Sequence, residues 1–198
     1  MLSDNEQESL QYIKILESNY NAFKDLPSEY QKVGWGSQEN QFLRFSILSS
    51  ISESFFHSKI LDYGCGLGGF YEFIQGKNFT GKYLGYDILS EMLEKCLLKY
   101  PGINFKSDYD DFNPDIIIAS GIFTFSSEDY MKKEIAKMFS IANKGIAFNS
   151  LSDWSPNKEN NEFYADPIKT LEFCSTLTSK VVLRHDYLPH DFTIYMYK

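Results

Sequence analysis

At 198 residues the chain has room for one α/β domain with some decoration, and its 43% apolar content can supply a real core. Seventeen Phe and fourteen Tyr point either to dense aromatic packing or to an aromatic-walled pocket. A formal net charge of −8, with no Lys/Arg cluster, argues against nucleic acid as the main partner, because a phosphate backbone needs a basic face.

Residues 3 to 24 read as a helix. Ser3 and Glu6 form a capping box, and Leu10, Ile13, Leu16, Tyr20 and Phe23 recur on one face. Pro27 lies in the break that follows. Gly34 and Gly36 flank Trp35 in a flexible turn, and Ser37 caps a second helix to about Ile51, with Phe42, Phe45 and Leu48 on its apolar face. Trp35 is either a core aromatic or a lid residue over the cleft. Arg44, among apolar neighbours, holds either a structural ion pair or a ligand carboxylate.

The run KILDYGCGLGGF, Lys59 to Phe70, reads as a buried strand, a glycine turn and a helix start. Gly64, Gly66, Gly68 and Gly69 suit a sharp turn that lets a ligand approach the backbone. Gly64, Gly66 and Gly69 satisfy G-x-G-x-x-G, the dinucleotide fingerprint, but that match is weak by itself. Asp62, two residues before the first glycine, would repel a pyrophosphate and suits a ligand carrying an ammonium group.

A helix from Gly69 to about Ile74 leads to a second strand over residues 81–87, ended by Asp87. That acid lies about 20 residues beyond the glycine loop, the spacing of a ribose-binding carboxylate. As an alternative it caps the next helix, Glu91 to Tyr100, which Pro101 stops. A short strand over 103–108 ends at Asp108 and Tyr109. The run PDIIIASGIF holds a fourth strand, after which Ser120 and Gly121 face the cleft. Ser126 or Ser127 caps a helix to about Ala142, and KGIAFNSL is a fifth strand ending near Asn149. A loop of about 15 residues follows, long enough to be functional, carrying Asp153, Trp154, Phe163 and Tyr164. Pro167 opens the last helix, and the remaining residues read as two strands joined by a polar turn, Arg184 to Asp191.

Taken together, D-Y-G-C-G-L-G-G and the strand–helix order closed by a hairpin resemble the class I S-adenosylmethionine-dependent methyltransferases over about residues 58–198. The resemblance implies an α/β, Rossmann-like class I methyltransferase fold: a mostly parallel seven-stranded sheet with a C-terminal antiparallel hairpin. Residues 1–57 would add an N-terminal helical cap to the cofactor domain, 58–198. S-adenosyl-L-methionine is the implied cofactor. Asp62, Gly64, Cys65 and Gly66 would seat its methionine part, and Asp87 with Ile88 its ribose. Asp108 and Tyr109 would lie near its adenine, and Ser120 and Gly121 at the cleft. Trp35, Arg44, Asn149, Asp153 and Tyr164 are candidates for lid or substrate contacts.

In an open parallel sheet, ligands bind at the carboxyl ends of the strands. The hairpin turn should emerge on that edge, which nominates His185 and His190 as catalytic bases for a hydroxyl acceptor. The expected activity is methyl transfer to a small-molecule or sugar-like acceptor. The rivals are an NAD(P)-dependent oxidoreductase and a non-catalytic cofactor-binding protein. Cys65, Cys96 and Cys174 show no metal or C-x-x-C spacing, so no metal is expected and the thiols read as reduced, in a cytoplasmic protein. The first ten residues are unlike a secretion signal. No apolar run approaches the roughly 18 residues of a membrane helix, so no membrane partner is expected.

Overall fold

The computed structural model describes residues 4–198; the expected Ser3 cap lies outside them. Three helices precede the sheet: α1 (Asp4–Phe23), α2 (Glu29–Lys32) and α3 (Gln38–Ser49). A 3₁₀ turn at Phe55–His57 leads into β1 (Lys59–Tyr63). Then come α4 (Gly69–Gln75), β2 (Lys82–Tyr86), α5 (Ser90–Lys99), β3 (Asn104–Lys106) and β4 (Ile116–Ala119). The chain ends with α6 (Glu128–Ile141), β5 (Gly145–Leu151), α7 (Pro167–Leu177), β6 (Val181–Leu188) and β7 (Asp191–Tyr197).

Local chemistry fixes the helix starts. Ser37 Oγ accepts from Asn40 N at 3.1 Å, and Ser127 Oγ accepts from Tyr130 N at 3.2 Å. Asp166 accepts from Ile168 N and Lys169 N ahead of Pro167. The short α2 was not foreseen; Ser28 and Gln31 close a capping box around it.

The seven strands run β3-β2-β1-β4-β5-β7-β6. β7 is antiparallel to both neighbours and every other pairing is parallel. Strand order reverses between β1 and β4, so the crevice for a ligand opens at their carboxyl ends. Side-chain alternation sends Ile60, Ile116 and Ile118 to one face, with Phe45, Leu48, Phe70 and Leu93 from α3, α4 and α5. Leu61, Ile117 and Ile146 face the other way, onto Met131, Ile135 and Cys174 of α6 and α7. Both faces of the central strands are therefore dry, which is why β4 reads as an unbroken apolar run.

The hairpin departs from expectation. Residues 184–188 are strand, and only Pro189 and His190 turn. A register shift between Arg184 and Leu188 lets an otherwise polar run remain on the edge strand. Among the described side chains of α1, Tyr12 and Tyr20 are buried, Ile13 and Leu16 half-buried, and Leu10 and Phe23 exposed. The apolar stripe is thus rotated toward Tyr12, whose hydroxyl caps a carbonyl in the cleft.

Candidate active site

The glycine turn is built by backbone geometry. Gly64 and Gly66 take φ of +81° and +53°, a region costly for other residues. A Cβ on Gly64 would overlap Ile122 Cγ2. Gly64 N and Cys65 N both donate to Tyr86 O, at 2.8 and 2.9 Å, tying the turn to the end of β2. Gly66 N donates to Asp87 Oδ2 at 2.8 Å, and Leu89 N donates to Asp87 Oδ1 at 2.9 Å. Asp87 therefore ties the glycine loop to the residue that precedes α5. Burial raises its pKa, and the Leu89, Gly66 and Ile88 N–H groups pull it back.

Asp62 ends β1, buried, with its Oδ2 accepting from Tyr83 OH at 2.7 Å. Burial pushes its carboxyl up to about 7, although the Tyr83 hydrogen bond acts the other way. Such a group gains from a cation placed beside it.

Above these residues lies a cavity of about 840 Å³, within the range of small-molecule sites. Its floor is Asp62, Gly64, Cys65, Gly66, Asp87, Ile88, Ser120 and Gly121. Its roof comes from α1, α2 and α3. Tyr12 OH donates to Ile122 O, so α1 reaches across the crevice to the loop after β4. Trp35 lies over that same loop: a Cβ on Gly121 would stand 2.9 Å from Trp35 Cζ2. Arg44 stacks on the Trp35 ring, 4.7 Å from its centroid, and its Nε donates to Asp191 Oδ2 at 2.8 Å. Tyr187 OH donates to the other Asp191 oxygen. Arg44 thus makes the structural ion pair while its guanidinium still lines the cavity.

Tyr164 OH donates to Glu162 Oε2 at 2.6 Å and accepts from Glu159 N at 3.0 Å, at the cavity mouth. His190, at the hairpin tip, lines the cavity, and its backbone O accepts from Ser152 N at 3.0 Å. Burial, then the Arg44 charge, lowers its pKa below the ordinary histidine value, so the ring is neutral at pH 7.

Other nominees sit elsewhere. His185 points away from the cavity: its Nε2 meets Ser152 Oγ at 2.7 Å, and its ring packs against Trp154 and Phe192. It lies on a strand rather than a turn, where neighbouring side chains face opposite ways. Asp108 is exposed, and Tyr109 packs edge-on against Tyr86 and tilts against Tyr63; neither lines the cavity. β3 ends level with β2, Lys106 pairing with Tyr86, and the chain beyond it turns these two residues away from the cavity. Asp153 pairs with Lys158 on the outside of the long loop. Asn149 is buried below the floor, accepting from Gly121 N at 2.9 Å and donating to Ser120 Oγ at 3.0 Å. It shapes the loop without reaching the cavity.

Sequence reasoning missed Tyr12 and Gln41, which both line the cavity. Gln41 and Arg44 are polar residues three apart on an otherwise apolar helix face. That spacing was the available signal.

No protein-family model matches the chain. A protein of Mycobacterium tuberculosis (strain ATCC 25618 / H37Rv) named "Putative methyltransferase Rv1506c" is 28% identical over 154 residues, spanning 70% of this chain and 92% of that protein. Magnesium protoporphyrin IX methyltransferase from Synechocystis PCC 6803, solved with bound SAH, superposes with a TM-score of 0.68 at 11% identity, over 94% of this chain and 99% of the other. The chain has the class I methyltransferase fold. A chain of the Pnkp1/Rnl/Hen1 RNA repair complex shares the same methyltransferase fold, with a TM-score of 0.64 at 15% identity, over 96% of this chain and 48% of that one. One fold thus accompanies quite different partners, and the acceptor must be argued from this chain's own cavity.

Proposed function

We propose that this enzyme transfers the methyl group of S-adenosylmethionine to a small-molecule acceptor held beneath the N-terminal helices, residues 1–57 acting as the cap. The observation that carries the reading is the carboxylate pair flanking the glycine turn: buried Asp62 on β1 and Asp87, bonded to Gly66 N, on β2. These residues fit the cofactor. Asp62 offers a negative partner to an ammonium, Asp87 offers lone pairs to ribose hydroxyls, and the backbone of the glycine turn lines the cavity where a ligand can approach it. The bound cofactor would supply a methyl group already activated on a sulfonium.

The protein's task is to position the acceptor, exclude water and accept a proton. Trp35 and the α1 crossing at Tyr12 close the cavity from above. Neutral His190 is the candidate base, and among the described residues no hydrogen bond engages its ring. A nicotinamide dinucleotide is disfavoured by Asp62 at the loop and by antiparallel β7 in the sheet. Glu29, Glu159 and Glu162 at the mouth favour an uncharged or cationic acceptor over a nucleic-acid backbone. Among the described residues no helix is long and apolar enough to cross a membrane. The three free, buried thiols support a cytoplasmic setting.

Calorimetry with S-adenosylhomocysteine and with NAD tests the cofactor; binding of NAD alone would overturn the reading. A screen of small acceptors for turnover separates an enzyme from a protein that only binds. On the acceptor so found, His190→Ala should cut turnover by about 10²–10⁴-fold with cofactor affinity unchanged. Full turnover would remove His190 as the base.

A further inference from the structure

α3 carries a polar group that nothing described so far uses. Gln41 is only 5% exposed, yet it lines the cavity. Among the described residues no hydrogen-bond partner meets its carboxamide, although Ser37, Asn40 and Arg44 on the same element are all engaged. Its amide atoms open onto the cavity instead of meeting a protein partner, so both are free to bond a ligand there. Its position is specific. The nearest atom to a Cβ built on Gly69 is Gln41 Nε2, at 3.3 Å, followed by the rest of its amide group. Gln41 therefore stands opposite the end of the glycine turn, on the wall facing Asp62, Gly64 and Gly66.

We propose that Gln41 recognises the aminocarboxylate end of the cofactor, donating from Nε2 to its carboxylate while Asp62 receives its ammonium. The inference rests on the cofactor reading above. Two charges of opposite sign at one end of a ligand need a donor and an acceptor side by side. Asp62 can supply only acceptance when ionised, and the Arg44 Nε is already committed to Asp191. The amide is the unengaged polar side chain facing the turn. It also comes from the cap rather than the sheet, so cofactor recognition would draw α3 onto the glycine turn.

The test compares S-adenosylhomocysteine with 5′-methylthioadenosine, which keeps the nucleoside and thioether but lacks the aminocarboxylate. Titration calorimetry on the full chain should show Gln41→Ala weakening S-adenosylhomocysteine by about 10- to 100-fold, with 5′-methylthioadenosine unchanged. Gln41→Glu should weaken S-adenosylhomocysteine further than Gln41→Ala, because it sets a carboxylate against a carboxylate. Thermal melting confirms folding; if either variant unfolds, Gln41→Met, of similar length and apolar, replaces it. Equal losses for both ligands, or S-adenosylhomocysteine binding unchanged in the variants, would overturn the inference. If wild-type protein binds neither ligand, the cofactor reading itself fails.

Discussion

Asp62 connects one carboxyl group to both stability and binding. Its folded pKa, about 7, lies above the ordinary 3.8 because burial disfavours the charge. Between those values the folded protein holds a proton that the unfolded chain has released. The stability this group contributes is therefore present below about pH 4 and is lost as pH rises through about 7. An ammonium beside it reverses the preference and favours ionisation. S-adenosylhomocysteine affinity should thus rise from pH 6 to pH 8, with proton release at pH 6, read by calorimetry in buffers of different ionisation enthalpy. Asp62→Asn should abolish the release; proton uptake on binding would contradict the assignment. Asp87 has two roles to separate. Asp87→Ala should weaken S-adenosylhomocysteine by about 1–3 kcal/mol, and lower stability by about 1 kcal/mol through the lost Gly66 and Leu89 hydrogen bonds. Urea denaturation beside calorimetry reads both, and a stability loss alone would leave Asp87 a purely structural tie.

At the scale of elements, α1 and the turn between α2 and α3 span the cleft to the loop after β4. Tyr12 reaches Ile122 O from α1, and Trp35 is sandwiched between Arg44 and Gly121 in a turn whose Gly34 has φ of +82°. A turn with glycine on both sides of its aromatic can swing the indole without straining neighbours. Cofactor binding should therefore shift Trp35 fluorescence and protect residues 27–40 from protease, in a Trp154→Phe background that isolates the signal. A digestion pattern indifferent to cofactor would count against movement of the roof. The hairpin has the opposite character. The Arg44–Asp191–Tyr187 chain and the Ser152 N to His190 O bond fix its tip, so His190 is presented by a braced turn.

Across the whole molecule, the N-terminal helices are continuous with the main core. Phe45 packs edge-on against Phe70, and Tyr195 OH donates to Ile47 O at 2.5 Å, tying α3 to α4 and β7. Residue 58 marks where the sheet begins, while packing runs through it. Phe45→Ala should accordingly cost about 3–5 kcal/mol, with one cooperative transition in urea. Two resolved transitions would mean that the cap folds apart from the sheet.

The α/β class, the seven strands and the glycine turn were legible in the sequence because each rests on local rules: apolar runs of strand length, caps, and glycines where the chain turns sharply. Asp62 and Asp87 were legible for the same reason, since a strand end fixes where its last side chain lies. What only the tertiary structure decided were facts of orientation and distance. His185 and His190 are five residues apart and looked equivalent; the strand continuing to Leu188 turned one toward Ser152 and left the other at the cavity. Asp108 and Tyr109 lie outside the cavity because the loop after β3 packs Tyr109 against Tyr63 and Tyr86. Arg44 found Asp191, 147 residues away, and Gln41 met the glycine turn only when α3 packed on α4. Sequence spacing carries the period of a helix or strand, but contacts between distant segments depend on how those elements pack. Packing places the N-terminal helices over the cleft, and with them Tyr12, Trp35 and Gln41 at the cavity.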